Sequence, residues 1–299
     1  MANIYFGDIG DVWKHLSFTQ VVAIEQPRHV WESHAGSALY ALSRSYQRDF
    51  GVYYFREHAP TSVALADSPY ARILRELAPA GQLRVYPGSP FLAMRILTRS
   101  PADFVFCDTD EVSLADIQNA ASRLSIDEAR LRIIHGDGVS TVAHLGAALP
   151  TTEAASTVVH IDPYHPLQES SQGLNSIDLL CQLSDRGIKC LLWFGYRNLS
   201  MREGLFQALH RSLVKAGTSA ERLALWCGDI RLVGTMRAGC EISTDPISCL
   251  VIGSHLSERS RATSEELGHE LARIYGSARL ADGSDAAMEY TSFLVTDGA

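Results

Sequence analysis

The chain has 299 residues, 46% of them hydrophobic, and a net charge of −8 from 26 basic and 34 acidic side chains. This fits one large globular domain, or one domain carrying an insertion, and no run approaches the roughly 18 apolar residues of a membrane span. The acidic balance weighs against a large polyanionic substrate, because nucleic-acid enzymes gather Lys and Arg on one face to displace counterions from phosphates.

The lysines are Lys14, Lys189 and Lys215, without a cluster around them, and the arginines are spread along the sequence. A local basic patch on the folded surface stays open, so RNA is a possible but disfavoured partner. The first residues lack a charged stretch followed by an apolar run, and a cytoplasmic location is expected. The cysteines, at 107, 181, 190, 227, 240 and 249, show neither a CxxC pair nor zinc spacing. Cys107, Cys190 and Cys249 sit in apolar runs and read as small core residues, with no metal expected.

Short β-like runs alternate with helical stretches, the pattern of a mostly parallel sheet flanked by helices on both faces. Strands are expected at Arg28 to Ser33, Phe104 to Asp108, Leu131 to His135, Val158 to Asp162 and Lys189 to Phe194. Two more are expected near Leu223 to Trp226 and Ser248 to Ile252, which makes seven. Helical periodicity marks Leu114 to Ser125, Ser176 to Ser184, Met201 to Ala216 and Ser264 to Tyr275. The segment 43–82, rich in tyrosine and with a helical run from Tyr70 to Leu77, breaks the alternation and reads as a helical insert over the site. Tyr290 to Val295 is strand-like.

Several short segments carry chemistry. Glu32-Ser33-His34-Ala35-Gly36 follows the first strand. A glycine there lets the backbone approach a ligand, and a following helix N-terminus would offer free N–H groups to a carboxylate. Asp108 ends the second strand, where an acid can accept both hydroxyl hydrogens of a ribose, or else caps a helix. Asp137-Gly138 follows the third strand and is also a common turn dipeptide. In Tyr86-Pro87-Gly88-Ser89-Pro90, Ser89 reads as a helix N-cap with Pro90 at the first helical position. Asp162-Pro163-Tyr164-His165 ends the fourth strand, and Asp162 can accept a hydrogen bond from an amine or take its proton. Lys14 and His15 fall in Asp11-Val12-Trp13-Lys14-His15; such a pair on a helix is more often a solvated face.

In this order the segments resemble the class I S-adenosylmethionine (SAM) methyltransferases of the RlmJ-type 23S rRNA adenine-N6 family, over nearly the whole chain. That family reads approximately DVLKH, THAGAG, YPGSP, an acidic strand end, DG and DPPY. The resemblance implies a Rossmann-like α/β fold with SAM as cofactor. It implies cofactor contacts at Lys14, His15, His34, Gly36, Ser89, Asp108, Asp137 and Gly138, the Asp-Gly pair meeting adenine. It also implies catalysis at Asp162, with Tyr164 stacking on the acceptor. The departures fall on the acceptor side. One proline is missing, so Tyr164 arrives one residue early. Trp13 replaces an aliphatic residue and His165 follows the tyrosine. Tyr5 is the candidate for the family's N-terminal tyrosine. Trp193-Phe194-Gly195-Tyr196 stands where the family has Trp-Tyr-Pro, so Tyr196 is either a wall of the acceptor pocket or core.

A retained cofactor half and an altered acceptor half, with the acidic charge, favour an N-methyltransferase acting on a small-molecule amine in a specialised pathway. Methylation of an rRNA adenine is the second expectation. The third is SAM as its own substrate, cyclised or lysed with release of methylthioadenosine.

Overall fold

The protein is described by a computed structural model over residues 6–79, 81–233, 248–276, 278–279, 285–286 and 288–296. The longer strands are β1 (His29–Glu32), β2 (Leu39–Ala41), β3 (Val85–Pro87), β4 (Asp103–Asp108), β5 (Leu131–His135), β6 (Thr157–Ile161), β7 (Lys189–Tyr196), β8 (Trp226–Leu232), β9 (Ser248–Ser254) and β10 (Met288–Leu294). The main helices are α1 (Ile9–Glu25), α2 (Pro69–Glu76), α3 (Ser89–Ile96), α4 (Glu111–Arg123), α5 (Gly138–Ala148), α6 (Ser176–Asp185), α7 (Leu199–Ala216) and α8 (Glu258–Tyr275).

One sheet of eight strands, in the order β10-β8-β9-β7-β6-β1-β4-β5, organises the molecule. The five strands β5, β4, β1, β6 and β7 run parallel. β9, β8 and β10 then each pair antiparallel with the neighbour before. All five residues of β6, Thr-Val-Val-His-Ile, are buried, as befits a central parallel strand covered on both faces. The expected count of seven strands becomes eight because the strand-like stretch near Tyr290 pairs along the full length of β8, from Met288 opposite Leu232 to Leu294 opposite Trp226. The strand expected at Leu223 to Trp226 starts only at Trp226. Ala224 has a left-handed φ of 46° and the Leu225 N–H turns back to the Ala220 carbonyl, so these residues form the turn before β8.

Two apolar cores cover the two faces. One collects α1, α3, α4, α8 and the segment 43–82; the other collects α5, α6 and α7. α1 lies deep in the first: its positions 9–19 are all buried, and it ends at Gln26 in a left-handed conformation just before Pro27. The segment 43–82 is helical, built of short turns followed by α2. It packs on α1 and α8, with Tyr54 Oη donating to the Ile274 carbonyl and Tyr275 Oη to the Gly51 carbonyl. Among the described residues no helix is long and apolar enough to cross a membrane, and no group of side chains is arranged to hold a metal. Cys107, Cys181, Cys190, Cys227 and Cys249 are free and buried; Cys240 lies outside the described residues.

Across the antiparallel end, Asp229 on β8 is fully buried and accepts from Tyr196 Oη on β7 and, at 2.7 Å, from Arg202 Nε on α7. Removing one member of a buried charged pair leaves the other without a partner. Asp229→Ala is therefore expected to lower unfolding stability by about 3 kcal/mol, read as a lower urea midpoint at unchanged slope.

Candidate active site

Neighbouring connections leave the sheet in opposite directions on either side of β1, since β1 lies between β4 and β6. Such a switch point opens a crevice beyond the carboxyl ends of the strands. The crevice here has two halves. One, of about 200 Å³, is lined by Phe6, Lys14, His15, Tyr40, Tyr86 and Ser89 among others. The other, of about 350 Å³, is lined by residues that include Asp137, Gly138, Pro163, His165 and Ser171. His34, Asp108 and Tyr164 border both halves.

The first half is built on an ion pair. Lys14 Nζ, from α1, lies 2.7 Å from Asp162 Oδ2 just past β6, and 2.7 Å from Asp11 Oδ1 one turn back on α1. Burial acts to lower the lysine pKa, but the two carboxylates outweigh it and hold the ammonium charged well above its ordinary range. Burial likewise pushes the Asp162 carboxyl up, and the Lys14 charge overrides it, so Asp162 stays ionised below the usual carboxylate range. The second oxygen of Asp11 accepts the Gly7 N–H at 2.7 Å and so anchors the turn before α1. Lys14 Nζ also stands 5.0 Å from the Trp193 ring centroid. His15 Nδ1 meets Tyr86 Oη at 2.8 Å, and Tyr70 Oη donates to the same hydroxyl at 3.0 Å. Burial, then the Lys14 charge, keeps His15 neutral. Lys14 and His15 thus lie on a buried helix face, not a solvated one.

The turn after β1 departs from expectation. No helix follows it; the chain runs on into β2, which pairs antiparallel with β3 from Leu39 opposite Pro87. The N–H groups near Gly36 are instead organised by the turn. Gly36 takes a left-handed φ of 61°, and its N–H donates to Asp108 Oδ2 at 2.8 Å. Asp108 Oδ1 accepts from the Asp110 N–H at 2.9 Å. Asp137 is the N-cap of α5. Burial raises its pKa, but hydrogen bonds from Ser171 and Ser140 outweigh that and hold it ionised. A Cβ on Gly138 would lie only 1.7 Å from the Ser33 carbonyl oxygen, so the tight packing of α5 against the turn after β1 requires glycine there.

Ser89 corrects a second expectation. α3 begins at Ser89 with Gly88 as its N-cap and no side-chain cap bond. The Ser89 hydroxyl instead donates to Glu32 Oε2 at 2.5 Å, and His160 Nδ1 lies 3.3 Å from the same oxygen. Glu32 is fully buried, and burial raises its carboxyl pKa. Sequence reasoning missed Glu32 and His160. The available signal was an acid inside an apolar strand, Val30-Trp31-Glu32, facing a histidine inside another, Val158-Val159-His160.

The candidate acceptor residues separate. Tyr164 is 71% exposed at the meeting of the two halves, and its ring makes an edge contact at 4.6 Å with His165. Trp13 is fully buried beneath β8, its Nε1 donating to the Gly228 carbonyl at 3.2 Å. Tyr196 is also fully buried and bound to Asp229. Neither Trp13 nor Tyr196 lines the crevice, so both are core residues. Tyr5 lies outside the described residues.

A parallel sheet reversing at β1, an antiparallel β9 beside β7, and a crevice bordered by strand-end carboxylates define a class I SAM-dependent methyltransferase. The chain matches the family model "Ribosomal RNA large subunit methyltransferase D, RlmJ" over residues 25–224, and belongs to that family. A solved Legionella pneumophila protein of the DUF519 family is similar at 15% identity, covering 97% of this chain and 98% of that one, with a TM-score of 0.72. A SAM-dependent methyltransferase from Agrobacterium tumefaciens aligns at 11% identity over 81% of this chain and 60% of that one, with a TM-score of 0.37. No curated protein matches. SAM is the cofactor of this enzyme class, and the residues present fit it: the Asp108 carboxylate borders both halves, and a carboxylate is an acceptor for the hydroxyls of a ribose.

Glu32 gives this site a signature in stability. Its raised folded-state pKa means that the folded protein binds the proton more tightly than the unfolded chain. The folded protein thus loses stability as pH rises from the unfolded value, about 4.3, through the raised one. Glu32→Gln keeps an acceptor for Ser89 and removes the charge. The variant is expected to match wild type in urea midpoint near pH 4 and to exceed it at pH 8.

Proposed function

We propose that the enzyme methylates the exocyclic amine of an adenine in ribosomal RNA. The observation that carries this reading is Tyr164. Its ring stands exposed where the two halves of the crevice meet, two residues beyond the carboxylate that Lys14 holds in place. A base flipped out of an RNA strand needs such an accessible aromatic face to stack on. Membership of a family described as rRNA methyltransferases supports the same substrate. The overall charge of −8 pointed to a small amine instead. A small acceptor calls for an enclosed pocket that buries most of it, and an open mouth with an exposed ring argues the other way.

In this reading Asp108 receives the ribose hydroxyls of SAM and Asp137 the adenine amine. SAM supplies a methyl group already activated by its sulfonium. What remains for the protein is to align the acceptor and help a proton leave. Lys14 occupies Oδ2 of Asp162, which leaves Oδ1 to accept an N–H of the target amine and turn its lone pair toward the methyl carbon. Carbon–nitrogen bond formation breaks the sulfur–carbon bond, and the amine then gives up one proton, for which Asp162 is the nearest ionised acceptor in this reading. Tyr164 stacks on the base and shields the reacting atoms.

One observation favours a second reading. The half that holds Lys14 and Asp162 is small and walled by Phe6, Tyr40 and Tyr86. A folded-back aminocarboxypropyl chain of SAM would fit such a space with no separate acceptor. Its own amine would attack the carbon bound to sulfur, the carbon–sulfur bond would break, and methylthioadenosine would leave with a small cyclic amino acid after loss of a proton.

Purified protein with SAM and unmodified large-subunit rRNA is expected to yield S-adenosylhomocysteine and a methylated adenine. Protein with SAM alone is expected to yield nothing above a protein-free control. Methylthioadenosine from SAM alone would replace the rRNA reading with the second one. Asp162→Ala is expected to cut turnover by roughly 10²-fold or more while SAM binding, followed by calorimetry, survives. Loss of SAM binding in that variant would contradict the role given to Asp162.

A further inference from the structure

Three buried side chains from three elements form one hydrogen-bonded row. Tyr70 stands on α2 of the insert, Tyr86 on β3 and His15 on α1, and both tyrosines are fully buried. The two hydroxyl oxygens lie 3.0 Å apart, and Tyr86 Oη lies 2.8 Å from His15 Nδ1. Neither hydroxyl has another hydrogen-bond partner among the described residues.

The direction of the row follows from its hydrogens. If Tyr70 donates to Tyr86 and Tyr86 donates to His15 Nδ1, both hydroxyl hydrogens are used. If Nδ1 carries a hydrogen and donates to Tyr86, the hydrogen of one tyrosine or the other is left in the core without an acceptor. A buried donor without a partner suffers its full desolvation penalty, so the row runs from Tyr70 to His15. In a neutral histidine, the bond made by one ring nitrogen decides which nitrogen carries the hydrogen. An accepting Nδ1 therefore places the ring hydrogen of the neutral His15 on Nε2.

His15 lines the half of the crevice that holds Lys14, and its Nε2 has no hydrogen-bond partner among the described residues. Several other donors there are already engaged: the Gly36 N–H with Asp108, the Ser89 hydroxyl with Glu32, and the Lys14 ammonium with Asp11 and Asp162. An Nε2–H donates to an anion, whereas a bare Nε2 would accept from an ammonium group. With the ribose at Asp108 and the adenine at Asp137, the amino-acid end of SAM falls in this half, and it carries one group of each kind.

We infer that Tyr86 is a positioning residue: its hydroxyl fixes His15 as an Nε2–H donor and so directs the carboxylate of the SAM amino acid, rather than its ammonium group, to His15. This rests on the reading of Asp108 and Asp137 as the ribose and adenine contacts. Tyr70 donates to Tyr86 and leaves the Tyr86 hydrogen to His15.

The test uses the full chain. Its readouts are the nitrogen NMR resonances of the His15 ring and the calorimetric affinities of S-adenosylhomocysteine and its decarboxylated analogue. The free wild-type protein is expected to show a bare Nδ1 and a hydrogen on Nε2, and Tyr86→Phe a mixture of the two tautomers. The preference for S-adenosylhomocysteine over the analogue is expected to fall about fivefold in Tyr86→Phe, the worth of one net hydrogen bond. Tyr70→Phe removes the other hydroxyl of the row but leaves Tyr86 with His15 as its acceptor, and it is expected to keep both the tautomer and the preference. A merely structural role for Tyr86 weakens both ligands alike. A hydrogen on Nδ1 in wild type, or an unchanged preference in Tyr86→Phe, would overturn the inference. His15→Ala separates the two levels. If it leaves the preference intact, His15 does not meet the carboxylate, and the cofactor reading of this half fails. If it removes the preference while Tyr86→Phe does not, the contact stands and the role of Tyr86 alone fails.

Discussion

The Lys14 ammonium held between Asp11 and Asp162 is the interaction around which the site is built. It joins the first helix to the end of a strand 148 positions later in the chain. A single buried cation faces two carboxylates, each at 2.7 Å. Low local dielectric strengthens each contact and makes an unpaired member costly. Once the pair forms, the depth of α1 against β6 is fixed. Through Gly7 and Phe6 it also fixes how the chain enters the crevice.

The sheet supplies the other constraint. With β1 between β4 and β6, the turn after β1, Asp108 after β4 and Asp137 after β5 all lie along one crevice without any one of them being near another in sequence. Tight contacts then replace flexibility. The Gly36 N–H is spent on Asp108, the Ser89 hydroxyl on Glu32, and Asp137 on two serines. The free protein therefore holds these groups in hydrogen bonds with one another, which sets their orientation within the crevice.

Much of this was legible in the sequence. The runs ending in Asp108, His135 and Asp162 located β4, β5 and β6 to within a residue or two; β4 and β6 lie inside the sheet and leave the unbroken apolar signature of parallel strands buried on both faces. The order of the segments brought Lys14, His34, Asp108 and Asp162 to one crevice. What was not legible depended on tertiary partners. Ser89 before Pro90 has the local form of an N-cap, but a buried Glu32 takes its hydroxyl. The turn at Gly36 resembles a strand-to-helix turn, yet pairing with β3 draws the next residues into β2. Trp13 could be counted on the acceptor side, and Tyr196 could be either pocket wall or core, because aromatic residues beside site motifs serve in both places. Their polar atoms go instead to Gly228 and Asp229 on β8, a strand whose start the sequence did not place.

The position of α1 has a consequence for how the chain folds. It precedes every strand of the sheet in sequence, yet it is joined to a residue 215 positions later. Trp13 reaches the Gly228 carbonyl and packs edge-on to Tyr290 at 5.3 Å, and α1 lies along α8. A folding chain therefore cannot bury this face of α1 until β8, β10 and α8 have docked on it. Such long-range closure slows folding and lengthens the time that apolar surface is open to aggregation.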